Sequence, residues 1–375
     1  MSQSIYLDHN ATTPMPAPVK DAVLQALEQV GNPSAVHSLG AQAKKNIEHA
    51  RTIVADFVGA DRDEIIFTSG GTESNNMVLA GVPATTHVLV SASEHSAVAK
   101  FADVRPNTHL IPMDIGGVID LVALEKMLSE TSGEKLVSVA MASNETGVIQ
   151  PLSHVIEIAR RHGAFIHTDA VQALGKVPIN FSQLDVDALS LSAHKVGGMP
   201  GCGALILRKS FSLTPLLIGG GQERGKRSGT LNLPGIVSFG AALNIYDATK
   251  WEKIRAFRDG LEEMLIQKNA YIYGKVVSRL PNTSCLAMEG VANSTQVMAF
   301  DLAGICVSAG SACSSRSMKP SPILHAIDPA HAPFAIRVSM GQDTTINEVQ
   351  RFQETWLSIF HKNNSQTTQE ISAYA

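Results

Sequence analysis

The sequence predicts an α/β protein in which helices flank a mostly parallel central sheet. Strand-like segments alternate along the chain with segments whose apolar residues recur at helical spacing. The strand-like segments, such as 87–92 and 204–207, are apolar almost throughout rather than alternately polar and apolar. Strands of that kind are covered on both faces, which is typical of a parallel sheet between two layers of helices.

The individual elements follow from these patterns in chain order. We predict strand 64–68, helix 72–79, strand 87–92, strand 135–142, helix 153–162, and strands that end at Asp169, near His194 and at Leu207. Helix 153–162 has a candidate capping serine at Ser153 and a terminating glycine at Gly163.

The length and a change in composition predict two domains. A chain of 375 residues exceeds what a single hydrophobic core usually supports. Residues 219–230 are glycine-rich and charged, so we predict a loop there, followed by a long helical region from about 235 to 268. We therefore expect a large domain at 15–250 and a smaller α+β domain formed by 1–14 together with 251–375.

The composition excludes several classes of protein. A net charge of −4 does not indicate a nucleic-acid surface, and no apolar run approaches the length of a membrane span. The first residues lack the pattern of a signal peptide. The cysteines, which are Cys202, Cys285, Cys306 and Cys313, show no disulfide framework, so we expect free thiols and a cytoplasmic protein.

Lys195 and Asp169 are the strongest indication of function. Lys195 ends the apolar run 188–195 and precedes a glycine-rich stretch, and a desolvated lysine can form a Schiff base. Asp169 ends an earlier apolar run, where a carboxylate can hold the proton of a pyridinium nitrogen. The two residue types together indicate pyridoxal phosphate (PLP) chemistry, although Asp169 could equally cap a helix that begins near Ala170.

The segment 68–74 joins a predicted strand to a predicted helix and is a candidate phosphate site. Gly70 and Gly71 allow the backbone amides to converge, the helix N-terminus adds partial positive charge, and Thr72 adds a hydroxyl. An ordinary glycine turn is the alternative. The segment is neither a Walker A loop nor a dinucleotide fingerprint, so ATP and NAD are poor candidates.

His95 and His194 stand out among 13 histidines, most of which we expect on the surface or in the core. His194, next to Lys195, could donate to a phosphate. His95, just after a strand, could stack on a planar ring or move protons.

Cys313 lies in a small, polar segment, 308–317, that would give a thiol access to a ligand. Arg316 is a possible electropositive neighbour. Cys306 is predicted to be a core thiol, and a disulfide or metal pair between Cys306 and Cys313 remains open, although the spacing is unusual. Cys202 and Cys285 are predicted to be packing residues.

Arg337 lies inside the apolar run 334–340 and requires an anionic partner if it is buried. A substrate carboxylate bound bidentately and a structural Asp or Glu are both compatible with the pattern.

Taken together, these segments resemble the cysteine desulfurases, which belong to the class V aminotransferases of PLP fold type I. The resemblance extends over nearly the whole chain, from 6–14 to 336–339. The matching motifs, in the family's order, are T-S-G-G-T-E-S-N-N at 68–76, E-H at 94–95, N-E-T-G at 144–147, H-T-D-A-V-Q at 167–172, S-A-H-K at 192–195, R-S-G-T at 227–230 and G-S-A-C-S-S at 310–315.

The resemblance implies a role for each matching residue. Lys195 would bind PLP covalently, His95 would stack on its ring, Asp169 would pair with the ring nitrogen, and Gln172 would contact the ring hydroxyl. The phosphate would be bound by Gly71, Thr72, Ser192 and His194, joined by Thr230 from a second subunit. Asn144 and Arg337 would hold the substrate carboxylate. Cys313 would be the nucleophile that forms a persulfide, and His95 is the candidate acceptor of its thiol proton. The residues after it, through Lys319 and Pro320, are similar to the group I form of the family.

The activity implied is the conversion of L-cysteine to L-alanine, with sulfur passed through Cys313 to a protein acceptor. That acceptor would be an iron–sulfur scaffold or a carrier for tRNA thiolation, and the enzyme would be a homodimer. No metal site is predicted. Two alternatives remain, namely a selenocysteine lyase or small-amino-acid aminotransferase of the same fold, and a PLP-free homologue that acts as a binding or assembly subunit.

Overall fold

The computed structural model describes residues 4–310 and 321–373, with side chains up to residue 363. The strands are β1 (Ile5–Tyr6), β2 (Ile65–Thr68), β3 (His87–Ser91), β4 (Thr108–Ile111), β5 (Lys135–Ser138), β6 (Phe165–Asp169), β7 (Ala188–Ser192), β8 (Gly203–Leu207), β9 (Tyr271–Ile272), β10 (Thr283–Ala287), β11 (Ile305–Cys306) and β12 (Ala335–Ser339).

The helices connect these strands and cover the sheets. They are α1 (Ala17–Leu27), α2 (Ser38–Val58), α3 (Gly71–Gly81), α4 (Ser96–Ala99), α5 (Phe101–Val104), α6 (Leu121–Glu130), α7 (Leu152–Arg161), α8 (Leu233–Asn244), α9 (Lys250–Ile266), α10 (Asn293–Leu302), α11 (Pro322–Ile327) and α12 (Ile346–Ala373). No helix in the described part of the chain is both long and apolar enough to cross a membrane.

A seven-stranded sheet, counted over the described residues, has the order β2-β8-β7-β6-β5-β3-β4. The five strands from β7 to β4 run parallel, and β8 is antiparallel to both of its neighbours. The predicted α/β class with a mostly parallel sheet is therefore confirmed.

Both faces of this sheet are buried, as the uninterrupted apolar runs require. Leu89, Val137 and Ile166 pack into one hydrophobic cluster, whereas their sequence neighbours Val88 and Leu136 pack into another. Neighbouring residues of a strand point to opposite faces, so the two clusters lie on the two sides of the sheet.

The carboxyl-terminal part of the chain contains smaller sheets. Among the described residues, β10 pairs with β9 and β12 in an antiparallel three-stranded sheet, and β11 pairs with β1 from the start of the chain. A hydrophobic cluster centred on Leu265, Phe300 and Trp356 packs helices α9, α10 and α12 together.

Several predicted elements differ from the structure. Strand β5 ends at Ser138 and not at 142. Helix α7 begins at Leu152, and Pro151 occupies the cap position instead of Ser153, although Gly163 has the left-handed φ of 65° expected after a helix end. The long helix predicted from 235 to 268 is two helices, α8 and α9, because the chain turns near Asp247, whose carboxylate accepts from the backbone N–H of Thr249 at 3.0 Å. Strand β7 ends at Ser192, and a 3-10 turn carries the chain to Lys195.

Candidate active site

A cavity of about 260 Å³ opens where the parallel strands end. It is lined by Asp169 at the end of β6, Ser192 at the end of β7, and the first turn of α3. Ligands of parallel α/β sheets bind at this edge because the loops that follow the strands converge there. The predicted site residues that line the cavity are Gly71, Thr72, His95, Asn144, Asp169, Gln172, Ser192, His194, Lys195 and Arg337.

Lys195 is half-buried in the wall of this cavity. Its Nζ donates to the carbonyl oxygens of Asn10 at 2.6 Å and Ala11 at 2.8 Å, and its own carbonyl accepts from the hydroxyl of Thr13 at 3.0 Å. The segment before α1 therefore holds the lysine at both its backbone and its amine.

Asp169 is buried, with 8% of its surface exposed, and is fixed by two donors. The side-chain amide of Asn75 donates to one carboxylate oxygen at 2.7 Å, and the backbone N–H of Val171 donates to the other at 2.9 Å. Donors of this kind stabilise the charged carboxylate in a buried place. Asp169 can therefore present a negative charge to a positively charged ring nitrogen.

The first turn of α3 forms the predicted anion site. Gly70 has a φ of 149°, and the unpaired amides of the first helical turn at Gly71 and Thr72 lie at the cavity wall. Next to this turn, the carboxylate of Glu73 accepts from the backbone N–H of Ser69 at 2.7 Å and from the Nε of Arg227 at 2.8 Å. The hydrogen bonds from Arg227 and Ser69 outweigh burial and hold the pKa of Glu73 below its usual value.

His95 lines the cavity as the cap of the short helix α4, where its Nδ1 accepts from the backbone N–H of Ala97 at 3.1 Å. A neutral ring in this arrangement carries its proton on Nε2, which is then a donor. Accepting a proton from Cys313, as the sequence suggests, would require the ring to change tautomer and give up its contact with Ala97.

His194 contacts the hydroxyl of Thr12 through Nδ1 at 3.2 Å. Burial and the charge of Lys195 lower the pKa of His194 to about 4. The ring is therefore neutral at physiological pH, and it can donate one hydrogen bond but adds no positive charge to the cavity.

Arg337 is 2% exposed on β12 and has a protein partner. Its Nη2 forms a 2.6 Å ion pair with Asp8, and its Nη1 donates to the carbonyl of Asn144 at 3.1 Å. Arg337 therefore pairs with an acidic side chain of the protein, Asp8, which is one of the two kinds of partner that the sequence allows. The Nε of Arg337 has no hydrogen-bond partner among the described residues, and Nη1 and Nη2 each carry a second N–H beyond these two contacts.

The described lining of the cavity does not include two of the predicted site residues. Thr230 is exposed and does not line the cavity of its own chain, so its proposed contact with a second subunit stays a prediction. Cys313 lies outside the described residues, as do Arg316, Lys319 and Pro320.

The other cysteines are free thiols. Cys202 and Cys285 are buried as predicted, and burial raises the pKa of the Cys202 thiol to about 12. Cys306 was predicted in the core but is only half-buried, because β11, among the described residues, pairs with β1 alone.

Sequence reasoning missed the residues that hold the site residues in place. Asn10 accepts from Lys195, Asn75 donates to Asp169, and Asp8 neutralises Arg337. All of them lie inside segments that match the family, 6–14 and 68–76. The matching segments therefore point to these residues, although they do not reveal which side chains they contact.

Comparisons with known proteins agree with this geometry. The family model "Aminotransferase class-V" matches residues 5–352. The chain is 41% identical to the cysteine desulfurase of Cereibacter sphaeroides over 370 residues, which cover 94% of both proteins. It is 39% identical to the cysteine desulfurase IscS of Dictyoglomus turgidum, over 92% of this chain and 91% of that protein.

Solved structures share the whole fold. The X-ray structure of a NifS-like protein from Rickettsia africae ESF-5 superposes with a TM-score of 0.90 at 34% identity, covering 96% of this chain and 100% of that one. A structure of SspA in complex with cysteine superposes with a TM-score of 0.77 at 29% identity, covering 91% of this chain and 100% of that one.

Proposed function

The chain belongs to the class-V aminotransferase family, and we propose that it is a PLP-dependent cysteine desulfurase. It would convert L-cysteine to L-alanine and take up the sulfur on Cys313 as a persulfide. The observation that carries this proposal is that Lys195, Asp169 and the first turn of α3 line one cavity together with Arg337.

The residues present fit pyridoxal phosphate. Asp169 is a buried carboxylate fixed by Asn75 and Val171, which suits a protonated pyridine nitrogen. The amides at Gly71 and Thr72 suit a phosphate, with Ser192 and His194 beside them on the cavity wall. When bound, PLP supplies an electron-withdrawing ring that makes the Cα proton of an amino acid acidic.

The protein's own residues would perform the remaining tasks. Lys195 holds the cofactor and, as a neutral amine, accepts the proton from Cα of the substrate. The unpartnered Nε of Arg337 donates to the substrate carboxylate, and Asn144 lies beside it. Nη1 and Nη2 each carry a second N–H beyond their contacts with Asn144 and Asp8, so the bidentate pairing considered from the sequence stays a prediction. His95, whose proton lies on Nε2, would donate at that atom.

Cys313 completes the reaction. The bond between the substrate Cβ and its sulfur breaks, and a sulfur–sulfur bond forms to the Sγ of Cys313, which must react as a thiolate. L-alanine leaves, and the persulfide passes its outer sulfur to an acceptor protein. We propose an iron–sulfur scaffold or a tRNA-thiolation carrier as that acceptor.

Further features of this proposal concern the assembly. The enzyme would be a cytoplasmic homodimer in which Thr230 of each subunit reaches the phosphate of the other. The domains would divide at 15–250 and at 1–14 with 251–375, which the separate hydrophobic clusters on the large sheet and around α9, α10 and α12 support.

The test is the product balance of the purified protein. Protein loaded with PLP and given L-cysteine should release L-alanine and, with a reductant, an equal amount of sulfide. Release of alanine from L-selenocysteine alone would favour a selenocysteine lyase, and formation of an oxo acid would favour an aminotransferase. Failure to bind PLP would favour the alternative that the protein is a PLP-free homologue that acts as a binding or assembly subunit.

A further inference from the structure

A second lysine, Lys176, lies buried behind Lys195. It is 8% exposed, and its Nζ donates to the side-chain oxygen of Asn10 at 3.0 Å and to that of Gln172 at 2.9 Å. Both acceptors are neutral amides, whereas a buried ammonium usually pairs with a carboxylate. Lys176 has none of the roles assigned above, so its position requires a separate explanation.

The local backbone directs Lys176 inward. Gln172 and Lys176 lie four residues apart in the helical turns after β6, which places them side by side. Gly175, between them, has a φ of 75°, and a Cβ there would lie 2.4 Å from the ring of Tyr246. The carbonyl of Gly175 accepts from the Nε1 of Trp251 at 2.8 Å, which fixes the turn against α9.

Asn10 connects Lys176 to Lys195. The Asn10 carbonyl accepts from the Nζ of Lys195 at 2.6 Å and from the Nε2 of Gln172 at 2.9 Å. Every other hydrogen-bonding group of Asn10 is also engaged. Its Oδ1 accepts from Asn282 and Lys176, its Nδ2 donates to Asn144 and Thr283, and its backbone N–H donates to Ser339. Asn10, which is 1% exposed, therefore has one orientation, and it sets the place of the Lys195 amine.

Lys176 supplies donors to the oxygens of both amides. Its Nζ can donate to Asn10 and Gln172 in either protonation state, because a neutral amine keeps two N–H groups and an ammonium has three. The NH₂ group of Gln172 is then left to donate to the Asn10 carbonyl and toward the cavity, which Gln172 lines. Without Lys176, the side-chain oxygen of Gln172 would lose its donor, whereas that of Asn10 would keep the donor from Asn282.

We propose that Lys176 is a positioning residue that fixes the Gln172 and Asn10 amides and, through Asn10, the place of the reactive amine of Lys195. The inference rests on the proposed function, because the ligand that Gln172 and Lys195 would share is PLP.

The electrostatics around Lys176 act in the same direction. Burial, with the nearby charges of Lys195 and Arg337, lowers the pKa of Lys176 well below its usual value. Two amines this close disfavour each other's protonation, which favours the neutral, reactive form of a Schiff-base lysine. Among the described residues, the titratable groups around the pair include His9 beside Lys176, His194 beside Lys195, Asp8 on Arg337, and Asp169 across the cavity. A second cleft that both lysines line also contains Tyr6, Tyr246, Lys250, Asp343 and Glu348.

The test is to measure PLP uptake by the apo-protein as a function of pH. The absorbance of the lysine-linked cofactor reports the uptake. We expect Lys176→Met and Lys176→Gln to bind PLP about tenfold more weakly and to move the pH midpoint of uptake upward. Lys176→Arg, which also only donates, should stay close to the wild type. The control is Arg258→Met, which removes another buried cation, 7% exposed, that donates to the carbonyl of Leu280 and pairs with Asp259.

The outcomes separate this inference from the proposed function. If the wild-type protein takes up no PLP, the proposed function itself is wrong. If the wild type takes up PLP and folded Lys176→Gln has the same affinity and midpoint, only the role of Lys176 is wrong. The same pH shift in Arg258→Met would also overturn that role, since it would reflect a general loss of stability. Should Lys176→Met not fold, Lys176→Gln and Lys176→Arg decide the question by the same criteria.

Discussion

Asp8 and Arg337, 329 positions apart in the chain, form an ion pair with 2.6 Å between Oδ1 and Nη2. The second oxygen of Asp8 accepts from the hydroxyl of Ser308 at 2.6 Å. The pair therefore joins the start of the chain to β12 and to the segment that precedes Cys313. Because Arg337 is buried, Asp8 is the counter-charge that allows its burial.

Asp8→Ala should destabilise the protein by about 3–5 kcal/mol, because it leaves the charge of Arg337 buried without a partner. Chemical unfolding with and without the substitution measures this. The control is Asp343→Ala, which breaks the pair with Lys250, whose side chains are 44% and 88% exposed. Such a pair contributes about 1 kcal/mol or less. Equal losses in the two variants would contradict the proposed importance of the buried pair.

Lys195→Ala should abolish the absorbance band of the lysine-linked cofactor and the release of alanine from L-cysteine, because Lys195 is the only amine among the described residues that line the cavity. The matched control is Lys209→Ala, a surface lysine paired with Asp61. A Lys195→Ala protein that retained the band and formed alanine would show that the lysine is misassigned.

Cys313→Ala should retain PLP but lose the protein-bound persulfide, because the sulfur then has no thiolate to accept it. Mass spectrometry after a single turnover detects the added sulfur. Cys306→Ala is the control, since Cys306 lies on β11 away from the cavity lining. Persulfide that persists in Cys313→Ala, or disappears in Cys306→Ala, would move the nucleophile to another cysteine.

Arg227→Gln should weaken retention of PLP by about tenfold, because the carboxylate of Glu73 would then lie uncompensated beside the phosphate site. The rate of cofactor release on dilution, followed by absorbance, measures the effect. Arg224→Gln is the control, since Arg224 forms a looser pair with Asp63 at 3.8 Å. Release at the wild-type rate in Arg227→Gln would exclude Arg227 from a role in the phosphate site.

Stability should fall as the pH is lowered below 6.5. His167 is completely buried between Ser138 and Ser190, and burial lowers its pKa from 6.5 to about 3. The unfolded chain therefore binds a proton that the folded protein excludes, and the folded state loses about 1.4 kcal/mol per pH unit for this group as the pH falls from 6.5 toward 3.

Urea unfolding at pH 7 and pH 5 tests this expectation. His167→Gln should be less stable at pH 7, yet its stability should depend less on pH, because the titrating group is gone. His194 and His9 act in the same direction, since burial lowers the pKa of each to about 4. Parallel pH profiles for the variant and the wild type would rule out His167 as a source of the dependence.

Much of the fold was predictable because its signals are local. The uninterrupted apolar runs predict strands buried on both faces, and β5, β6 and β7 are such strands. The terminating glycine at Gly163 was also correct, because a left-handed φ is a property of a single residue. The cap at Ser153 and the continuous helix 235–268 were wrong, since a helix end depends on where the chain turns next.

The sequence by itself determined the fold class, the family and which side chains could react, since Lys195, Asp169 and Arg337 each stand out in an apolar run. Only the tertiary structure decided the partner of each one: Asn10 for Lys195, Asn75 for Asp169 and Asp8 for Arg337. An apolar pattern records that a residue is buried, but a hydrogen bond requires two groups within about 3 Å. For residues far apart in the chain, that distance is set by how the strands and helices pack together.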